Sequence, residues 1–236
     1  MHEIAVACSR LAEMVRHSVN DARIRDPDSR QRVAQALLAA AIDHAVSVTY
    51  LLSHPSPSLV FSAVGIFRMQ LDALSRGIFF AREESSTGAE VADFLARDRM
   101  PLVSPPGEKR RPIRLEELIA KLRDFLASEH PKLAEQGLHH HFSYALDRFN
   151  GYVHGGNEVV EAYQEHPGLG LVFNPDFNTL ANIAMHATTL CLIAEMTQLF
   201  FVSGNREATF PNGEDRMRVY HAFVEAGKRV KPSQGG

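Results

Sequence analysis

Apolar residues recur every three to four positions along almost the whole chain, and strand-like alternation is scarce. That spacing lines one face of a helix, so the fold has to bury a set of helical stripes against one another. The most demanding stretch is Ala34 to Val48, AQALLAAAIDHAVSV, which is apolar nearly all round and needs cover on most sides. The periodicity predicts helices at about Ile4–Ala22, Ser29–Leu52, Ser58–Glu83, Ala89–Asp98, Leu115–Ser128, Lys132–Val153, Asp176–Val202 and Pro211–Ala226. Pro27, the His54-Pro55-Ser56-Pro57 run, Ser85–Gly88 and His130-Pro131 break them. Met100–Ile113 reads as a proline-rich basic loop. Asn157–Pro175 reads as mostly loop, with a short helix at Glu158–Gln164.

The expected class is all-α: an antiparallel four-helix bundle with additional short helices. Residues 1–28 form an N-terminal helix and joint, 29–203 the bundle with the basic loop at 100–113, and 204–236 a short helix and polar tail, all in one domain. A hydrophobic content of 45% and a charged content of 22% exclude wholesale disorder. A net charge of -3 excludes a polycationic nucleic-acid binder, though not a local patch. Two cysteines exclude a disulfide scaffold or a four-cysteine zinc site and fit a reducing compartment. The N-terminus reads as an amphipathic helix rather than a signal peptide. Arg68, Asp72 and Arg76 interrupt the best membrane-span candidate, Leu59–Phe80. The expected location is cytoplasmic, with no membrane partner.

Twelve histidines invite a metal reading. Three of them, His139-His140-His141, are consecutive, but helix neighbours point about 100° apart, so at most two share an ion. The chain has no His-Glu-x-x-His and no Glu-x-x-His motif, so no metal and no cofactor are expected. Asn178, Asn182 and His186 recur four apart on the last long helix. His186 reads either as a cleft residue or as a satisfied core histidine.

Two constellations carry the chemistry. Arg68, Asp72 and Arg76 lie four apart and form one charged stripe on an otherwise apolar helix. They mark either a solvated ladder or a partly buried site. Further on, Arg148 and His154 are six positions apart, just before Gly155-Gly156. An arginine holds phosphate bidentately, and a histidine moves a proton near neutral pH. The structural alternative is a helix end with a cationic histidine at the dipole and a glycine cap. The basic segment 97–123 adds eight basic residues against four acids, a loop able to engage phosphate through Lys109, Arg110 and Arg111. Between 155 and 215 the balance reverses, with eight acids against Arg206 alone.

The run Arg148-Phe149-Asn150-Gly151-Tyr152-Val153-His154, on a late helix of an all-helical bundle, resembles the arginine–histidine motif of the HEPN superfamily. The helix bearing FRMQLDALSRGIFF also looks like uncharacterised bacterial HEPN-like proteins with an early Arg–acid–Arg stripe. The likeness spans roughly 29–202 in helix order, and only these two motifs are specific. It implies a metal-independent ribonuclease of toxin or phage-defence type, acting as a homodimer on RNA, with an antitoxin or defence partner. The implied catalytic residues are Arg148, His154 and Asp72. Arg68, Arg76, Asn150, Lys109, Arg110 and Arg111 would bind substrate. The alternative is a catalytically inactive helical module for dimerisation or for binding a nucleotide or partner.

Overall fold

The computed structural model describes residues 2–21, 26–54, 56–82, 85–103, 109, 111–129, 160, 162–168, 170–173, 177–202 and 213–230. The all-α expectation holds. Among these residues the helices are α1 (His2–Asp21), α2 (Ser29–Leu52), α3 (Pro57–Ala81), α4 (Gly88–Arg97), α5 (Leu115–Glu129), α6 (Phe177–Thr197) and α7 (Gly213–Gly227). A π-helical turn, Gln198–Val202, extends α6.

Local chemistry sets the helix ends. Asp28 and Gln31 form a reciprocal capping box that opens α2: Gln31 N–H donates to Asp28 Oδ1 at 2.7 Å, and Asp28 N–H donates to Gln31 Oε1 at 3.0 Å. Thr87 and Glu90 do the same for α4. Pro57 starts α3, where its missing N–H costs nothing. No glycine closes α3. Instead the Arg30 guanidinium reaches from the start of α2 to the carbonyls of Phe80, at 3.2 Å, and Ala81, at 2.9 Å.

Helix α2 lies at the centre, packed against α1, α3 and α6. The contacts give directions. His2 Nδ1 meets Ser53 O at 2.9 Å, so α1 begins where α2 ends. Arg30 reaches the end of α3, and Gln31 Nε2 donates to Val202 O at 3.3 Å, beyond the end of α6. Helices α1, α3 and α6 therefore each run opposite to α2. Gln70 ties α3 to α6 by donating from Nε2 to Ala187 O at 2.8 Å. The core between these helices includes Leu11, Leu38, Ile42, Phe67, Leu71, Leu74, Phe80, Ile183 and Leu190, each at most 1% exposed. Burying side chains of this size stabilises by about 1.5–3 kcal/mol apiece. Helix α3 lies close to α2 at Gly77, where a Cβ would sit 2.9 Å from Leu38 Cδ2.

Two short hairpins depart from the expected loops. Strands β1 (Leu102–Val103) and β2 (Arg111–Pro112) pair antiparallel, Leu102 with Pro112 and Val103 with Arg111. Met100 and Ile113 are buried beneath them. Strands β3 (Tyr163–His166) and β4 (Gly170–Phe173) pair from Tyr163–Phe173 to His166–Gly170. Pro167-Gly168 turns the chain there, with Gly168 at φ 80° and Gly170 at φ 74°, both in the glycine-favouring region. By length and composition, α2 and α6 could each cross a membrane, rather than α3. In this fold they are packed in the core: 44% and 67% of their apolar windows are buried. The expected helix at Lys132–Val153 lies outside the described residues.

Candidate functional site

One face of α3 stays open while most of the rest of the helix, from Ala63 to Ala81, is buried. At 100° per residue, Phe61, Gly65, Arg68, Asp72 and Arg76 fall on that face, with Met69 at its margin. Arg68, Asp72 and Arg76 are half-buried, and Met69 and Phe61 are exposed. Arg76 Nη2 pairs with Asp72 Oδ2 at 3.0 Å, the expected i,i+4 pair. Its Nη1 lies 3.7 Å from Asp98 Oδ1. Asp98 ends α4 in the left-handed conformation, φ 49° and ψ 38°. Arg76 Nε is buried and makes no hydrogen bond. The stripe is thus a clamped cation with one donor unspent, a group whose lack of a partner calls for explanation.

At the N-terminal end of this face three rings meet. Phe61 packs edge-on to Phe173, with centroids 5.2 Å apart and planes at 82°. Tyr163 is 5.4 Å from Phe173 and 6.3 Å from Phe61. Phe173 is buried, whereas Phe61 and Tyr163 are 39% and 36% exposed. The hairpin β3–β4 holds Tyr163 and Phe173 as a cross-strand pair over α3.

In the basic segment, Lys109 is exposed. Arg111 is occupied: its Nη1 and Nη2 donate to the two Glu117 oxygens at 2.8 and 2.9 Å. The Arg114 N–H also donates to Glu117 Oε2 at 2.8 Å. The Arg111 bonds first, then that backbone N–H, hold the Glu117 carboxyl down at about 2. Arg111 therefore fastens β2 to the first turn of α5. Arg110, His139 to His141, Arg148, Asn150 and His154 lie outside the described residues.

On α6, Asn178 is exposed, Asn182 half-buried and His186 buried. On α2, burial favours the neutral ring of His44 and lowers its pKa below the ordinary value, against the opposing pull of Asp43. Burial pushes the Cys8 thiol up to about 12. Burial, then the Glu195 carboxylate, raises Cys191 well above its ordinary value. Both sulfurs stay protonated and unreactive. Among the described residues no group of three or more His, Cys, Asp or Glu side chains is placed to hold a metal ion.

Two features escape sequence reasoning. Glu195, buried on α6, is gripped bidentately by Arg216 of α7: Nη1 donates to Oε1 at 2.7 Å, and Nη2 donates to Oε2. The only signal was a lone acid in an apolar helix. A groove of about 670 Å³ also runs between α1 and α7, lined by Val6, Ala7, Val219 and Ala226 and by charges of both signs, Glu3 and Glu225 with Arg10, Arg218 and Arg229. Its two sides lie more than 200 residues apart in sequence, beyond the reach of any local pattern.

A family model covering residues 38–223 matches this chain. The chain belongs to DUF6988, a family of unknown function. The match takes in α3, the ring cluster, Arg148 and His154, and most of α7. No curated protein and no solved structure matches the chain.

Proposed function

We propose that this member of the family is a HEPN-like, metal-independent ribonuclease of toxin or phage-defence type, cytoplasmic and homodimeric, kept in check by an antitoxin or defence partner. The reading rests on the Arg148–His154 spacing. The observation on the fold that supports it is Arg76, held on a half-open face of α3 by Asp72 and Asp98 with its Nε–H unspent. In this mechanism His154 takes the proton of a ribose 2'-hydroxyl or delivers one to the leaving 5'-oxygen. The 2'-oxygen attacks phosphorus, the bond to the 5'-oxygen breaks, and a 2',3'-cyclic phosphate remains. Arg148 stabilises the charge that develops on the phosphorane oxygens. Asp72 orients a catalytic cation. Arg68 and Arg76 hold neighbouring phosphates, and Asn150, Lys109 and Arg110 take further part in binding the substrate.

A second reading has its own support. Arg76 and Arg111 are already engaged by Asp72, Asp98 and Glu117, as in a stable module whose cations serve the fold. That module would be catalytically inactive and would dimerise or bind a nucleotide or partner. Incubation of purified protein with single-stranded RNA in chelator separates the two. The ribonuclease yields cyclic-phosphate ends, and Arg148→Ala or His154→Ala lowers the rate at least about 100-fold. Equal cleavage by wild type and both variants would overturn the assignment.

A further inference from the structure

We propose that Phe61 and Tyr163 form a stacking shelf for the bases of single-stranded RNA, a substrate subsite that rests on the ribonuclease reading. Exposed rings are ordinary when scattered, but these two sit side by side on one buried pedestal, Phe173. Packing against Phe173, edge-on for Phe61 and tilted for Tyr163, holds both rings before any ligand arrives, so little ordering remains to oppose binding. The open α3 face leads from the shelf towards phosphate-binding chemistry. Gly65, one turn on from Phe61, has nothing within 4 Å of where a Cβ would stand, which leaves the floor clear. Arg68 follows on the same face, about 10 Å along the helix axis from Phe61. Met69 adds exposed apolar surface beside it.

The charge layout favours a base at one end and phosphate at the other. The α3 face carries Arg68 and Arg76, with Asp72 and, from the end of α4, Asp98 against Arg76. Near the rings the charge is acidic: Glu165, two residues from Tyr163 and on the same side of the hairpin, is exposed. A carboxylate there repels phosphate and accepts from the amino groups of a base edge. Adjacent exposed rings with arginines further along the same face are elements that bind single strands without strong sequence preference.

The test measures binding of a mixed-sequence single-stranded RNA oligonucleotide by fluorescence anisotropy, with His154→Ala as the non-cleaving parent. Adding Phe61→Ala or Tyr163→Ala should weaken affinity about ten-fold or more. Phe61→Trp and Tyr163→Phe, which keep a ring, should retain it. Light-induced crosslinking of 5-iodouracil RNA should map to Phe61 or Tyr163 by mass spectrometry, which keeps the test decisive should an alanine variant fail to fold. Undiminished affinity in folded alanine variants, with crosslinks elsewhere, overturns the shelf while wild-type cleavage leaves the ribonuclease standing. RNA bound through these rings but not cleaved by wild type does the reverse. Loss of self-association in Phe61→Ala without loss of RNA affinity would make the patch a contact between copies and overturn the proposal.

Discussion

Helices α3 and α6 are both long and apolar, and both carry charge, yet they use it in opposite ways. On α3 the charges repeat every four residues and share one half-open face, where Arg76 meets Asp72 and Asp98 at 3.0 and 3.7 Å. On α6 the lone Glu195 sits in the core with its side chain 1% exposed, and Arg216 comes from α7 to neutralise it. A repeated charge keeps one side of a helix out of the core. A single charge has to be answered from elsewhere in the chain, or it cannot be buried.

The sharpest way to break this contrast is at α6. Removing one partner, by Glu195→Ala or Arg216→Ala, leaves an uncompensated buried charge or an unfilled site. It should cost about 3–5 kcal/mol in denaturant unfolding. Replacing both, Glu195→Leu with Arg216→Met, should recover most of that loss. A cost below about 1 kcal/mol for the single variants would place α7's docking elsewhere. Next comes a comparison within α3. Gly77→Ala pushes a methyl into Leu38 at 2.9 Å and should destabilise by about 1–3 kcal/mol. Gly65→Ala enters open space and should instead stabilise by about 0.5–1 kcal/mol through helix propensity. Equal thermal shifts for the two would refute the division of α3 into a packed and an open side. The smallest stability effect belongs to the stripe itself. Asp72→Asn should change unfolding free energy by at most about 1 kcal/mol, because the pair is half-exposed. On the ribonuclease reading it should still slow RNA cleavage measurably.

A pH scan extends the comparison to the half-buried pair at the start of α5. The Glu117 carboxyl is held down at about 2 from an ordinary 4.5. Its contribution is therefore fully present above pH 4.5 and lost as the pH falls towards 2. Glu117→Gln should melt below wild type at pH 7, and the gap should close over that window. A gap independent of pH would mean that Glu117 acts by packing alone.

These contrasts mark what was legible in the sequence. Ser29–Leu52 was read with its observed bounds, because Pro27 and the His54-Pro55-Ser56-Pro57 run bracket one long apolar stretch. The stripe on α3 was legible because its period of four is a local property of one helix. The hairpins were not. Strands β1 and β2 are two residues each, too short to show alternation, and the glycines and proline of 167–170 read equally well as loop. The ring cluster was missed because Phe61 and Tyr163 are about a hundred residues apart and meet only once β3–β4 folds over α3. Arg111 looked like a phosphate ligand because sequence shows its charge but not that Glu117, six residues on, takes up its guanidinium.

The bond from Arg30 to the last carbonyls of α3 has a consequence beyond capping. A guanidinium from the start of one helix is clipped to the end of the next, so the two cannot slide past each other by a turn without breaking both hydrogen bonds. Gly77 against Leu38 sets the same alignment by shape. The azimuth at which Phe61, Arg68 and Asp72 emerge is thus fixed by a buckle on the far side of the hairpin. Trading Arg30 for a shorter cation would loosen that setting without touching any residue on the open face.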